Sequence, residues 1–142
     1  MEVSQVRRRV QAAMTAARQR AQQHRQAAAD AGRTYAVFLE NVAGPVARQV
    51  AGALKAEGFN FTVFTPGDTL RLAADRGRDD YIELALDIAG ERPQVIGRTS
   101  YSRGSRTIAE ERPIKPGAAP DALTEDDVLD FLVAAIEPWL ER

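Results

Sequence analysis

The spacing of apolar residues changes at Gly58, and that change constrains the fold more than any other feature of the chain. Upstream, apolar side chains recur every three or four residues, the repeat of a helix. Downstream they recur every second residue, the repeat of a strand with one buried face. A chain that places its helices first and its strands afterwards, with connections too short for helical crossovers, pairs its strands antiparallel and belongs to the α+β class.

The strands read as five. Phe59, Phe61 and Val63 alternate with Asn60, Thr62 and Phe64 until Pro66-Gly67-Asp68 supplies turn chemistry. Leu70, Leu72 and Ala74 form the second, and the charged run 75–80 is the next turn. Ile82, Leu84, Leu86 and Ile88 alternate with Tyr81, Glu83, Ala85 and Asp87 in the third. The fourth (94–102) and fifth (105–111) are joined by Arg103-Gly104 as a two-residue turn, which would pair Tyr101 with Arg106 and Thr99 with Ile108. This last hairpin is polar, so it is placed at the sheet edge with little core contact.

Before Gly58 the sequence predicts three helical stretches. Apolar residues at 3, 6, 10, 13 or 14, 17 and 21 form one stripe, and no Gly or Pro occurs between Met1 and Asp30. Ala31-Gly32 is expected to interrupt this helix before Tyr35, Phe38, Leu39 and Val42 resume the spacing. Gly44-Pro45 then marks a break, because Pro lacks an N–H and disfavours helix at the residue before it. Val46, Val50, Ala53 and Leu54 continue on one face. At the other end of the chain, Thr124 is a helix N-cap with Asp127 three residues on, and Val128, Phe131, Leu132, Ala135, Ile136 and Trp139 give that helix a wide apolar face. The organisation is therefore a helical arm (1–33) and one α+β domain (34–142). The domain comprises helices at 34–57, an antiparallel sheet at 59–111, a Pro-rich linker at 112–122 and a C-terminal helix at 123–141. The same helix-first, helix-last order occurs in several small folds, secretion-chaperone-like and frataxin-like ones among them, and no motif ties the chain to either.

Composition narrows the chemistry. Without Cys there are no disulfides, thiolate ligands or cysteine nucleophiles. The single His24 lies in the arm with no residue nearby that resembles a triad partner, and reads as a helical surface or interface residue. Three groups of carboxylates are candidates for acid–base or Mg²⁺ sites. Asp75, Asp79 and Asp80 are interleaved with Arg76 and Arg78, which suits a solvated turn. Glu83 and Asp87 lie about 13 Å apart along a strand, and Glu125, Asp126 and Asp127 are explained by the helix start. No glycine pattern matches a phosphate-binding loop. The expectation is a non-enzymatic protein with no cofactor and no metal.

Seventeen of the 19 basic residues are Arg and 25 residues are Ala, a bias that GC-rich codons produce unaided, so arginine counts alone are discounted. Their distribution still matters. Residues 1–33 hold seven Arg against Glu2 and Asp30, a balance of +5, which leaves −6 for the remainder of a chain whose net charge is −1. A long Ala-rich amphipathic helix with no core of its own reads as an association element, and its 3-6-10-13-17 spacing is that of a short coiled coil. The leading expectation is a bacterial cytoplasmic adaptor or chaperone-like module that forms a homodimer and binds protein, without membrane contact. Two alternatives are a nucleic-acid-associated protein and a small-molecule binder with a pocket between the sheet and the C-terminal helix. The candidate interaction residues are Arg7, Arg8 and Arg9 on the arm and Arg98, Tyr101, Arg103 and Arg106 on the hairpin.

Overall fold

The computed structural model describes residues 1–141. Helix α1 runs without interruption over Val3–Phe38, a wide turn follows at Leu39–Ala43, and α2 spans Gly44–Ala56. The expected break at Ala31-Gly32 is absent: a single glycine, beside the best of helix formers, does not stop a helix that buries Ala31, Tyr35 and Phe38. Gly44-Pro45 is likewise not a chain break. A proline ring inside a helix collides with the carbonyl four residues back, and widening one turn by a residue relieves the collision. The Gly44 N–H accordingly donates to the Leu39 carbonyl, five residues earlier. A side chain at Gly44 would begin 2.8 Å from that same oxygen, so the wide turn needs glycine there.

Five strands follow: β1 (Phe61–Phe64), β2 (Leu70–Ala74), β3 (Tyr81–Asp87), β4 (Gln94–Arg103) and β5 (Arg106–Pro113). They form one antiparallel meander in the order β1-β2-β3-β4-β5, as short turns require. The β4–β5 register differs from the sequence expectation. Arg103 pairs with Arg106, Tyr101 with Ile108 and Thr99 with Glu110, because the two turn residues are Gly104-Ser105 rather than Arg103-Gly104. Gly104 takes φ +66°, which is the conformation glycine supplies at the first position of a tight hairpin turn.

One sheet face carries Phe61, Val63, Leu70, Leu72, Ile82, Leu84 and Val95, and the C-terminal half of α1, α2 and the C-terminal helices form one hydrophobic core with it. Helix α3 (Glu125–Ala135) begins with the expected capping box: Thr124 Oγ1 accepts from the Asp127 N–H at 3.2 Å, and Asp127 accepts from the Thr124 N–H at 2.9 Å. A turn at Ile136 separates α3 from the single turn α4 (Glu137–Leu140), whose first turn holds Pro138. The core beneath these helices is filled. Phe131 stands directly over Gly97, and Trp139 packs edge-on against Phe61 and Tyr101, with ring centroids 5.5 and 6.0 Å apart. The space between the sheet and α3 is thus packed core, while at the end of the sheet a pocket of about 420 Å³ opens between Tyr101 and Arg103 of β4 and Pro138 of α4.

Candidate interaction surfaces

Three surfaces follow from this arrangement: the arm, the β4–β5 hairpin and a groove beside β1. Every residue from 1 to 27 except Ala16 is exposed, so α1 leaves the body as a free helix about 40 Å long at ~1.5 Å per residue. Val3 is 77% exposed, Val6 44%, Val10 52% and Met14 47%. The steps 10, 14, 17, 21, 24, 28 continue as 31, 35, 38, and the last three are the residues α1 buries in its own body. The arm's stripe is therefore the unpartnered continuation of a helix face that is already half committed to a core. His24 falls within it and is exposed.

Arg7, Arg8 and Arg9 sit near the tip. At about 100° per residue, Arg7, Arg18 and Arg25 share one side of the helix, Arg8 and Arg33 a second, and Arg9 and Arg20 a third. The basic residues surround the helix on every side except the apolar stripe. Arg33 forms an ion pair with Asp30 one turn away.

The four hairpin candidates do not form one patch. Successive residues of a strand alternate faces, so Arg98 is on the open face of the sheet, while Tyr101, Arg103 and Arg106 are on the helix-covered side. Arg98 belongs to an ionic ladder across four strands. Its Nη1 donates to Glu83 Oε1 at 3.2 Å and its Nε to Glu111 Oε2 at 2.8 Å, while Arg71 donates to Glu83 Oε2 from Nε at 2.9 Å and Nη2 at 2.5 Å. The hydrogen bond to Glu111, reinforced by Glu83, raises the Arg98 pKa, and the Glu83 side chain is only 7% exposed. This ladder joins β2 to β5 in register. Its two arginines are matched by two carboxylates, so it offers no net positive surface.

Tyr101 corrects the expectation of an exposed aromatic. It is 9% exposed and packs on Trp139, because, of the hairpin's two strands, β4 is an inner strand and β5 the edge. Arg103 extends over the Tyr101 ring at 6.0 Å and pairs with Glu141 at 3.5 Å. Arg106 is exposed opposite it.

Four of the carboxylates considered for chemistry, Asp80, Glu83, Asp87 and Asp127, accept hydrogen bonds within the fold. Asp80, expected in a solvated turn, is 4% exposed, and its Oδ1 accepts from the Trp139 indole N–H at 3.2 Å and the Ser102 N–H at 3.0 Å. It ties the β2–β3 turn to β4 and to the chain's last helix. Among the described residues no three His, Asp or Glu side chains converge where a metal could be held, and no helix is long and apolar enough to cross a membrane.

The surface that the sequence reading missed is a groove of about 1190 Å³ between the α1–α2 helix and edge strand β1. Gly32, Ala36 and Leu39 line it on the helical side and Phe61, Val63 and Ile88 on the sheet side, with Phe64, on the other face of β1, at its rim. Phe64 and Ile88 remain 41% and 46% exposed. Glu40, Arg48 and Asp68 also contribute to the lining. Beneath it the Tyr35 hydroxyl donates to the carbonyls of Asp68 at 2.8 Å and Leu84 at 3.2 Å, fixing the β1–β2 turn against α1. Burial, with Asp68 and Glu83 nearby, raises the pKa of that hydroxyl, so it stays protonated as a donor. A sequence signal for the groove existed in Phe64, an aromatic on an otherwise polar strand face.

Compared with known protein families, with curated proteins and with solved structures, the chain matches none.

Proposed function

We propose that this chain is a non-enzymatic protein-interaction module, of adaptor or chaperone-like type, that self-associates through its N-terminal arm in a bacterial cytoplasm. The observation that carries the reading is the stripe Val3, Val6, Val10 and Met14, 44 to 77% exposed on a helix that has left its own core. Exposed apolar residues scattered singly need no explanation, whereas a contiguous apolar face rimmed by polar residues marks an interaction surface. A stripe of Val and Ala is weak as an isolated helix and gains stability by packing against another. The arm's +5 and the body's −6 add long-range attraction between copies.

The nucleic-acid alternative gains less support. Backbone binding needs clustered positive charge, but the arm's arginines point to three sides and those of the sheet are largely paired with Glu83, Glu111 and Glu141. The test of the proposal is light scattering on the intact chain beside the variant Val6→Glu/Val10→Glu. The intact chain is expected to be dimeric at micromolar concentration and the variant monomeric, with its thermal unfolding preserved because neither residue belongs to the core. Equal masses for the two would overturn the reading.

A further inference from the structure

We infer that the association is reciprocal and antiparallel, with the tip of each arm lying as a helix in the β1-side groove of a second copy and anchored by Val3, Val6 and Val10. The inference rests on the self-association reading above and adds where the arm goes. Three observations support it.

The first is the match of spacing and surface. Val3, Val6 and Val10 stand at i, i+3 and i+7, the anchor spacing of a helix that lays one face into an apolar groove. The groove's helical wall is Gly32, Ala36 and Leu39, and small residues there let a second helix approach closely. The sheet side offers Ile88, with Phe64 at the rim on the edge strand, both left half-exposed by the chain's own fold.

The second is geometry. If two copies are related by a two-fold axis that sets Val6 of one beside Ala36 of the other, the arms cross at Ala21, midway between those positions. Val10 then lies beside Gly32 of the second copy and Val3 beside Leu39, so all three anchors meet the groove wall. At the crossing the stripe is only Ala17 and Ala21, which suits close contact. Val10 and Val6 thereby meet the small residues Gly32 and Ala36, and Val3 meets Leu39. A parallel pair would set Val on Val at one end and Ala on Ala along the rest.

The third is charge. Parallel arms would bring Arg7, Arg8 and Arg9 of both copies side by side. Crossing at Ala21 separates the two Arg7 residues by 28 residues of helix, about 42 Å at ~1.5 Å per residue, far beyond the ~8 Å screening length of physiological salt. Each tip, with Arg7, Arg8 and Arg9 against Glu2, moves instead to a body whose balance is −6, beside a groove lined by Glu40 and Asp68 with only Arg48 opposing them. The arms still bring Arg18, Arg20 and Arg25 of both copies near one another at the crossing, so the charge argument concerns the tips: Arg7, Arg8 and Arg9 face an acidic body instead of their own counterparts.

The absence of native Cys makes the test direct. In the full chain carrying Val6→Cys and Ala36→Cys, mild oxidation is expected to give disulfide-linked dimers whose peptide map joins position 6 to position 36. The two positions lie about 45 Å apart along one helix at ~1.5 Å per residue, so the link can only form between copies. Phe64→Asp, tested without cysteines, is expected to raise the dimer dissociation constant at least tenfold while leaving the circular dichroism spectrum unchanged. Dimers of Val6→Cys linked to each other through position 6 would show parallel arms and overturn the inference while keeping self-association. A dimeric protein with no 6–36 link would also overturn the groove seat and keep the reading. A monomeric intact chain would overturn both. The peptide map stands alone if Phe64→Asp fails to fold.

Discussion

Gly97→Ala is the substitution whose outcome depends most on the packing described here. Gly97 lies on the core face of β4, paired with Leu84 of β3 and Arg112 of β5. A methyl group built on its backbone would sit 2.5 and 2.6 Å from Phe131 Cε2 and Cε1, and closer still to Cζ. Carbon atoms in contact prefer about 3.5–4.0 Å, so the ring or the strand must retreat by about 1 Å or more. Phe131 is 3% exposed, and the Arg112 guanidinium lies 4.8 Å from its ring centroid. The ring has little free room. Overpacking of this kind costs about 1–3 kcal/mol, against about 0.5–1 kcal/mol that Ala regains over Gly inside a strand. The expected net loss is about 1–2 kcal/mol. Urea unfolding followed through the single Trp139 reports it, because that indole belongs to the same core. Phe131→Ala alone should cost about 3–5 kcal/mol. The double variant should lose less than the sum, since the new methyl fills part of the space the ring vacates. A neutral or stabilising Gly97→Ala, or strict additivity with Phe131→Ala, would refute the claim that this ring occupies the place of a side chain at 97.

Two further predictions concern the carboxylates. Asp80→Ala removes the acceptor of the buried Trp139 and Ser102 N–H groups and should cost about 3–6 kcal/mol in urea unfolding, hydrogen bonds to a charged group being worth about 1.5–3 kcal/mol each; Asp80→Asn, which keeps an acceptor oxygen, should lose less, and a loss under about 0.5 kcal/mol for the alanine variant would mean that Asp80 is not the brace described. The Thr124 N–H, with the Thr124 hydroxyl as a second partner, holds the Asp127 carboxyl below the ordinary carboxylate pKa, so the cap's contribution is present above that ordinary value and is lost as pH falls through the depressed one; a carbon NMR titration should place Asp127 below the other exposed aspartates, and a midpoint level with theirs would contradict the capping box.

Much of the fold was legible because it is encoded over short distances. The change of period at Gly58, the alternation in Tyr81–Ile88 and the Thr124–Asp127 cap each depend on residues within a few positions of one another. Antiparallel pairing of consecutive strands followed from turn length, whereas the full order β1-β2-β3-β4-β5 is a finding of the structure. Features that depend on distant parts of the chain were not legible. Nothing near Asp80 announces that an indole 59 residues away will donate to it, and the groove exists only where α1–α2 meets the edge strand. Tyr101 was misplaced for a different reason. A polar-looking hairpin was treated as one edge unit, although only its second strand can be the edge, and the parity of positions 98 and 101 already assigns Arg98 and Tyr101 to opposite faces. At Gly44-Pro45 the propensities were read correctly as incompatible with a regular helix; the chain answered with a wide turn in place of a break. The arm was recognised from its stripe, and its full exposure is what turns that stripe into a candidate surface.

The central claim is that the arm's apolar stripe is an interface between copies, and sedimentation equilibrium of the intact chain over a range of micromolar concentrations tests it most directly. The account predicts a reversible equilibrium approaching twice the 15.5 kDa chain mass as concentration rises. A mass of 15.5 kDa at every concentration would contradict it.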